Sequence, residues 1–442
     1  MFRVLEAHFE LHTHGTTVRT EVLAGATTFL TMAYIVFVQP AVLSAAGMDF
    51  GAVLTATCLS TAFATALMAL LANYPIAVAP AMGHNFFFAY SVVIGMQVPW
   101  RVALGAVAIA GVVFVLTAGI GLRERLITAI PAAIKHAMAA GIGLLIATVG
   151  LQWAGLIVAA PGTLVTLGNL HSPPVQLALG ALGLTAILMA RRIPGAMLWG
   201  ILATAAAGWA LGLVQYQGVV GRPPSLLPTL LQLDVAGALA PGMAPVVLVF
   251  FFLALFDSVG TLVAVGEQAG LMRDGVLPRA RQALLADAIG TVAGAALGTS
   301  TVTAYVESSA GVAAGGRTGL AGLVTAALFL LSLLFYPLVR MIGGGYQMGG
   351  STLYPVIAAP LVLVGTMMMR SLQQVAWDDP TESIPAFLTV IMMPLTVSIT
   401  EGISFGVVSY ALVKLASGRG REVRPLLYVF AILFLGRYVF LR

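Results

Sequence analysis

Charge is what this chain has least of. It carries 21 Lys and Arg and 16 Asp and Glu in 442 residues, so 8% of it is charged, about a third of the share in an ordinary soluble domain. With 60% hydrophobic residues and a mean hydropathy of +1.01, it cannot cover a water-facing surface of this size. A soluble enzyme, a nucleic-acid-binding protein and a disordered chain are therefore excluded. Cysteine is nearly absent too: Cys58 stands alone inside an apolar stretch, which excludes a disulfide framework and a cysteine metal site. The net charge of +5 comes without any basic run interleaved with aromatics, so no nucleic-acid partner is expected. The first 20 or so residues lack the charged, then apolar, then small-residue order of a cleaved signal, so the first apolar segment is expected to stay in the protein.

What the chain does have is apolar runs, and the lipid bilayer is its expected surroundings. A helix crosses the hydrocarbon with about 20 mostly apolar residues, fewer where it is broken or enclosed by protein. That length predicts spans at 22–43, 51–72, 76–92, 100–121, 132–158, 175–191 and 195–213. After a Pro-rich stretch come spans at 243–266, 282–297, 300–314, 318–338, 354–370, 383–398 and 402–416. The expected class is an all-α polytopic membrane protein of fourteen segments. Its expected divisions are an N-terminal tail (1–21), a first set of seven (22–213), a linker (214–242), a second set (243–416) and a C-terminal tail (417–442). The apolar stretch 424–440, which carries Arg437, is expected to lie on the interface rather than across it.

Basic residues orient such a chain, because Lys and Arg gather in cytoplasmic loops. With both ends cytoplasmic, Arg3, Arg19, Arg123, Arg125, Lys135, Arg191, Arg192, Arg273, Arg279, Arg281, Arg317, Arg370, Lys414, Arg419, Arg421 and Arg424 fall inside. Only Arg101, Arg222 and Arg340 fall outside. The protein is thus expected as a multi-pass protein of the cell (plasma or inner) membrane.

The halves correspond in spacing: moving 22 by 221 residues gives 243, and moving 76 gives 297. Seven is odd, so the two sets must be inverted, a pattern typical of transporters. The third and tenth spans are short and interrupted. Pro75 and Pro80 mark one, and the β-branched run Thr299 to Val306 marks the other. Each is predicted to be part extended chain and part helix, and paired interruptions of this kind point to a midplane site.

Of the acids, only Asp257 and Glu307 read as lying well inside spans, while the others, Asp287 and Glu21 among them, are assigned to tails, loops and span ends. A carboxyl at membrane depth usually faces a cavity and has a task, and it can exchange a proton. Asn85 supplies a neutral donor and acceptor in the third span. Phe86, Phe87 and Phe88 offer a stacking face, and His84 is a further pocket candidate. His8, His12 and His14 sit in an exposed tail without a preformed site, so no metal or other cofactor is expected.

Five motifs carry a family resemblance: Thr28 to Ile35, Gly83 to Tyr90, Leu255 to Leu262, Gly298 to Gly319, and Ile384 to Leu395. From about Glu21 to Lys414 the chain resembles the azaguanine-resistance-type purine permeases of the nucleobase/ascorbate transporter group. The resemblance implies a core domain (spans one to four and eight to eleven) and a gate domain (five to seven and twelve to fourteen). It also implies carriage of a purine base (hypoxanthine, guanine or adenine) with a coupling proton, by movement of core against gate, in a homodimer. The substrate-binding residues implied are Asn85, Asp257, Glu307, Phe87, Tyr305, Val306, Thr303, Ser258 and His84, with Asp257 and Glu307 coupling the proton. The chain departs from many relatives at Ala254, where they have a second acid, and at His84, where they have Leu. The alternative is a uracil, xanthine or sulfate-like anion transporter of the same fold. Two acids without a midspan cation disfavour the anion. No nucleophile with a base in reach points to an enzyme, and no ring of charges points to a channel.

Overall fold

The computed structural model describes residues 6, 8–120, 131–160, 162–272, 277–348 and 351–440. Arg3, Arg123, Arg125, Arg273 and the side chain of Arg437 lie outside the described residues.

Up to Ala416 the described residues form fourteen segments. The first is α1 (Val18–Met32) and α2 (Ile35–Ala45), broken at Ala33 and Tyr34. The second is α3 (Phe50–Leu67), which widens into a π-helical turn up to Ala72. The third is β1 (Val78–Pro80), α4 (Met82–Phe86) and a π-helical stretch Phe87–Gly95. Pro75 and Pro80 explain the extended start: each lacks an amide donor and pushes the residue before it out of the helical region. Next come α5 (Trp100–Ile120) and α6 (Ala132–Trp153). A hairpin of β2 (Ile157–Ala160) and β3 (Leu164–Leu167) leads to α7 (Pro173–Ala190) and α8 (Ala196–Ala210).

The second set repeats the plan. It runs through α9 (Ala244–Gln268) and α10 (Ala280–Leu297) to a tenth segment of β4 (Val302–Ala304) and α11 (Ser308–Ala313). The eleventh segment is α12 (Gly319–Ser332) and α13 (Tyr336–Gly343), and the hairpin β5 (Tyr346–Met348) and β6 (Ser351–Leu353) follows. Then come α14 (Ala358–Met368) with a 3-10 tail to Gln374, α15 (Pro380–Thr396) and α16 (Ile399–Ala416). Eight of these helical stretches are long and apolar enough to cross a bilayer by themselves. The broken third and tenth segments are enclosed by the others, as non-helical backbone at membrane depth must be.

The segments pack as two groups. In one, α1 and α3 lie on α12, and α10 lies on α3 and α5. In the other, α6 is enclosed by α14, α15 and α16, and α7 lies on α8 and α14. The two broken segments meet at the centre of the first group. There β1 and β4 pair antiparallel, with Val78 opposite Ala304, Ala79 opposite Thr303 and Pro80 opposite Val302. Two threonines fasten the free edges in inverted-repeat fashion. Thr65 Oγ1 of α3 accepts from Val78 N at 2.9 Å and donates to Val78 O at 3.0 Å. Thr291 Oγ1 of α10 accepts from Val302 N at 3.3 Å and donates to Val302 O at 2.8 Å. A two-stranded ribbon would otherwise leave these groups unpaired in a dry interior.

The stretch 424–440 forms α17 (Pro425–Phe440), which runs back along α16. Near its start Tyr428 donates to Gly420 O at 3.1 Å, and near its end Tyr438 donates to Glu401 in the first turn of α16. Leu427, Phe430, Ala431 and Phe434 are buried, and Val429, Ile432, Leu433 and Leu435 are exposed on the other side. The end of α17 is therefore level with the start of α16, away from Lys414. One sequence expectation, the placing at a span end, is corrected for Asp287. It sits midway along α10 and is wholly buried, because α10 begins at Ala280 and enters the packed interior at once. Glu21 is buried as well. Its carboxylate accepts from Arg317 N (2.9 Å), Thr318 N (3.3 Å) and Ala321 N (3.2 Å), capping the N-terminus of α12.

Candidate functional site

Helix α9 shows where the cleft is. On the face of Asp257, the residues one and two turns toward its N-terminus, Leu253 and Phe250, are buried, whereas Gly260, Ala264 and Gln268 toward its C-terminus are exposed. One helix face thus passes from closed to open at Asp257, and the open stretch toward the C-terminal end of α9 is termed the cleft. Gly260 borders open space. Val306 of the tenth segment is 47% exposed in a chain position flanked by buried Tyr305.

At the closed end of the cleft stand the two acids expected from sequence. Thr303 Oγ1, on β4, donates to Asp257 Oδ2 at 2.9 Å. Tyr34, at the break between α1 and α2, donates to Glu307 Oε1 at 2.7 Å, and Thr31 Oγ1 donates to Glu307 O at 3.3 Å. Tyr305 donates to Pro80 O at 2.5 Å and its amide donates to Ala77 O at 2.9 Å, binding the tenth segment to the third. Each carboxyl keeps one oxygen outside these bonds. Such an arrangement offers a flat heterocycle two acceptors beside an extended backbone.

The other expected residues divide. Asn85 is fully buried, and its Oδ1 accepts from Ser300 Oγ, so it joins the third segment to the tenth. His84 is 4% exposed and its Nδ1 lies 4.0 Å from Asp257 Oδ2, with neither ring nitrogen in a well-formed hydrogen bond. Ser258 is buried and turned from the cleft toward Asp287. Phe87 is wholly buried, its ring edge-on to Phe250 at 4.7 Å, so its faces are covered in this conformation. The structure thus brings Asp257, Glu307, Thr303, Val306, Tyr305 and His84 to the cleft end and keeps Asn85, Ser258 and Phe87 behind it.

Asp287 is the residue that sequence reading missed. It faces Ser258 and the backbone of Ala304, and neither of its oxygens has a well-formed partner. A signal for it exists in the sequence, since Ala283, Asp287, Gly290 and Gly294 recur at helical spacing. A Cβ on Gly290 would lie 2.6 Å from Ala64 Cβ, and one on Gly294 2.7 Å from Val302 Cγ2. Such a small-residue stripe marks a helix packed at close range, and Asp287 shares it.

A mostly helical membrane protein packed as two groups, with paired broken segments, has the plan of a transporter, and sequence comparison decides the kind: a family profile described as the Permease family matches residues 19–405. The chain belongs to the Permease family. This permease is 50% identical over 443 residues to a putative permease of Methanocaldococcus jannaschii, covering 100% of this chain and 99% of that one. It is 46% identical over 439 residues to the adenine permease AdeP of Escherichia coli, covering 99% and 96%. It is also 46% identical over 450 residues to the guanine/hypoxanthine permease PbuG of Bacillus subtilis, covering 99% and 100%. In fold, the permease is similar to the transmembrane domain of a cyanobacterium bicarbonate transporter, BicA. The TM-score is 0.62 at 18% identity, over 88% of this chain and 97% of that one. It is a transporter of the membrane rather than an enzyme.

Proposed function

We propose that this permease is a secondary transporter that imports purine nucleobases by proton symport. The observation that carries the reading is the pair of carboxyls, Asp257 held by Thr303 and Glu307 held by Tyr34, at the closed end of one cleft. A purine has N–H donors on its edge. Two carboxyl acceptors satisfy them, and an unpaired edge group in a dry site costs about 1–3 kcal/mol, which discriminates between bases. The named relatives support the substrate class, since adenine and guanine/hypoxanthine permeases match over nearly their full lengths. In this reading Asp257 and Glu307 clamp the base, Val306 and Tyr305 border it, His84 lies beside Asp257, and at least one carboxyl exchanges the coupling proton. Asn85, Ser258 and Phe87 support the site from behind.

Residues 22–213 and 243–416 act as the inverted repeats. Segments one to four and eight to eleven form a core that moves against a gate of five to seven and twelve to fourteen, and the gate also pairs two copies into a homodimer. The cleft opens on the cytoplasmic face, where Arg19, Arg279 and Arg317 lie, and the N-terminal tail is on that side.

The test is uptake of radiolabelled hypoxanthine, guanine, adenine, uracil and sulfate into vesicles, with and without an inward proton gradient. Purine uptake enhanced by the gradient is the expected result. Gradient-independent uptake removes the proton coupling, and uptake of uracil or sulfate in place of purines removes the substrate assignment.

A further inference from the structure

Core and gate touch at the end of the molecule opposite the cleft mouth, and the contact is polar at two neighbouring residues of the third segment. Ser91 Oγ donates to Val397 O at 3.3 Å and accepts from Ile399 N at 3.2 Å. It therefore bonds both sides of the link between α15 and α16. Trp153 Nε1, at the end of α6, donates to Tyr90 Oη at 3.1 Å. Trp153 in turn stacks against Tyr354 of the β6–α14 connection, 4.3 Å between ring centroids, and accepts its amide at 2.8 Å.

Three further observations mark this seam as one that changes state. Val397 has φ +50, a left-handed conformation that costs a β-branched residue energy and persists only where its surroundings hold it. Ser91 and Tyr90 lie in the nine-residue π-helical stretch Phe87–Gly95, and π-helical turns are rare and gather at functional positions. Beneath the seam the groups also meet by close apolar approach: a Cβ on Gly83 would come within 2.6 Å of Ile142 Cγ2 on α6.

We propose that Ser91, with Tyr90 as its neighbour, is the latch that keeps this face of the permease closed while the cleft is open at the other. Opening here requires the bonds from Ser91 to Val397 and Ile399, and the bond from Trp153 to Tyr90, to break together. The link at Val397, freed of the Ser91 hydroxyl, then relaxes from its left-handed conformation. The latch works on the core and gate movement proposed above but not on the identity of the substrate. Ser91 is a positioning residue: it lies four residues beyond Phe87 in the third segment, bonds neither Asp257 nor Glu307, and acts by setting how often the closed face opens.

The test uses Ile142→Cys as a reporter, since Ile142 is 7% exposed at the Gly83 contact and is uncovered when the seam parts. The native Cys58 is buried and leaves a quiet background. Membrane vesicles are treated with an impermeant maleimide, and Leu167→Cys on the exposed β2–β3 hairpin shows which vesicle orientation presents this face. In the Ser91→Ala background the reporter is expected to label about five- to tenfold faster from this face, the population shift that loss of one or two hydrogen bonds gives. Tyr90→Phe shifts it the same way by less, and Ser91→Thr, which keeps the hydroxyl, restores the parent rate. Unchanged labelling in both Ser91→Ala and Tyr90→Phe overturns the latch, and so does equally fast labelling in Ser91→Thr and Ser91→Ala. Gel filtration confirms folding, and Tyr90→Phe carries the test if Ser91→Ala does not fold. Purine uptake by the parent is measured alongside: its absence with the labelling response intact overturns the substrate assignment and leaves the latch standing.

Discussion

Thr303 Oγ1 and Asp257 Oδ2 lie 2.9 Å apart, and this bond ties the central strand β4 to helix α9 where the cleft ends. The strand itself is fixed on its other edge by Thr291. A change at Thr303 therefore frees the Asp257 side chain without unseating the strand. For Thr303→Val, KM for the preferred base is expected to rise about tenfold with the fold intact. That is the loss of one hydrogen bond to a carboxyl, about 1.5 kcal/mol. Uptake kinetics on vesicles measure this, and an unchanged KM would show that Asp257 is positioned by something else.

Tyr34 gives a matching prediction at Glu307. Tyr34→Phe removes the 2.7 Å bond and keeps the buried ring, so KM is again expected to rise about tenfold, with thermal stability nearly unchanged. A fall in melting temperature without a change in KM would make Tyr34 a packing residue only.

Glu21 should behave in the opposite way. Its buried carboxylate receives three backbone amides at the start of α12, and Glu21→Gln puts an amide donor among donors. Unfolding of the detergent-solubilised protein should be easier by about 2 kcal/mol, the cost of losing a charged cap and leaving amides unpaired. A melting temperature equal to that of the parent contradicts the capping role.

At the end of α16, Arg419 bonds Asp379 at 2.7 Å and Glu422 at 2.8 and 2.9 Å. The Arg419 guanidinium holds the Glu422 carboxyl down at about 2 and the Asp379 carboxyl below the usual range. Both folded values lie below the unfolded ones, near 4. Their contribution is thus complete above about pH 5 and fades as pH falls through about 4 toward 2. Melting temperature should drop over that window, and Arg419→Met should flatten the drop. The same slope with and without Arg419 would place the acid sensitivity elsewhere.

Much of this architecture is legible in the sequence because lipid imposes a ruler and the prolines interrupt it. Pro75 and Pro80 announce an extended third segment, and the apolar runs separate fourteen segments. What stays hidden depends on direction and partner. Hydropathy sees Asp287 near a span start, because it registers how apolar a window is and not which face meets α9. It cannot distinguish Phe87, enclosed against Phe250, from an accessible ring in the same Phe-Phe-Phe run. The Tyr34–Glu307 pair joins residues 273 positions apart, and only the meeting of the first and tenth segments creates it.

The central claim is that Asp257 and Glu307 together bind a purine and carry its proton. Charge movement on rapid addition of hypoxanthine, guanine or adenine to proteoliposomes on a solid-supported membrane tests it most directly, because a neutral base moves charge only when an ion accompanies it, and in buffer free of sodium and potassium that ion is the proton. The account predicts a transient inward positive current in the parent, abolished in Glu307→Gln and in Asp257→Asn. Full-sized purine-evoked currents in both variants, or purine uptake by the parent with no current, would contradict it.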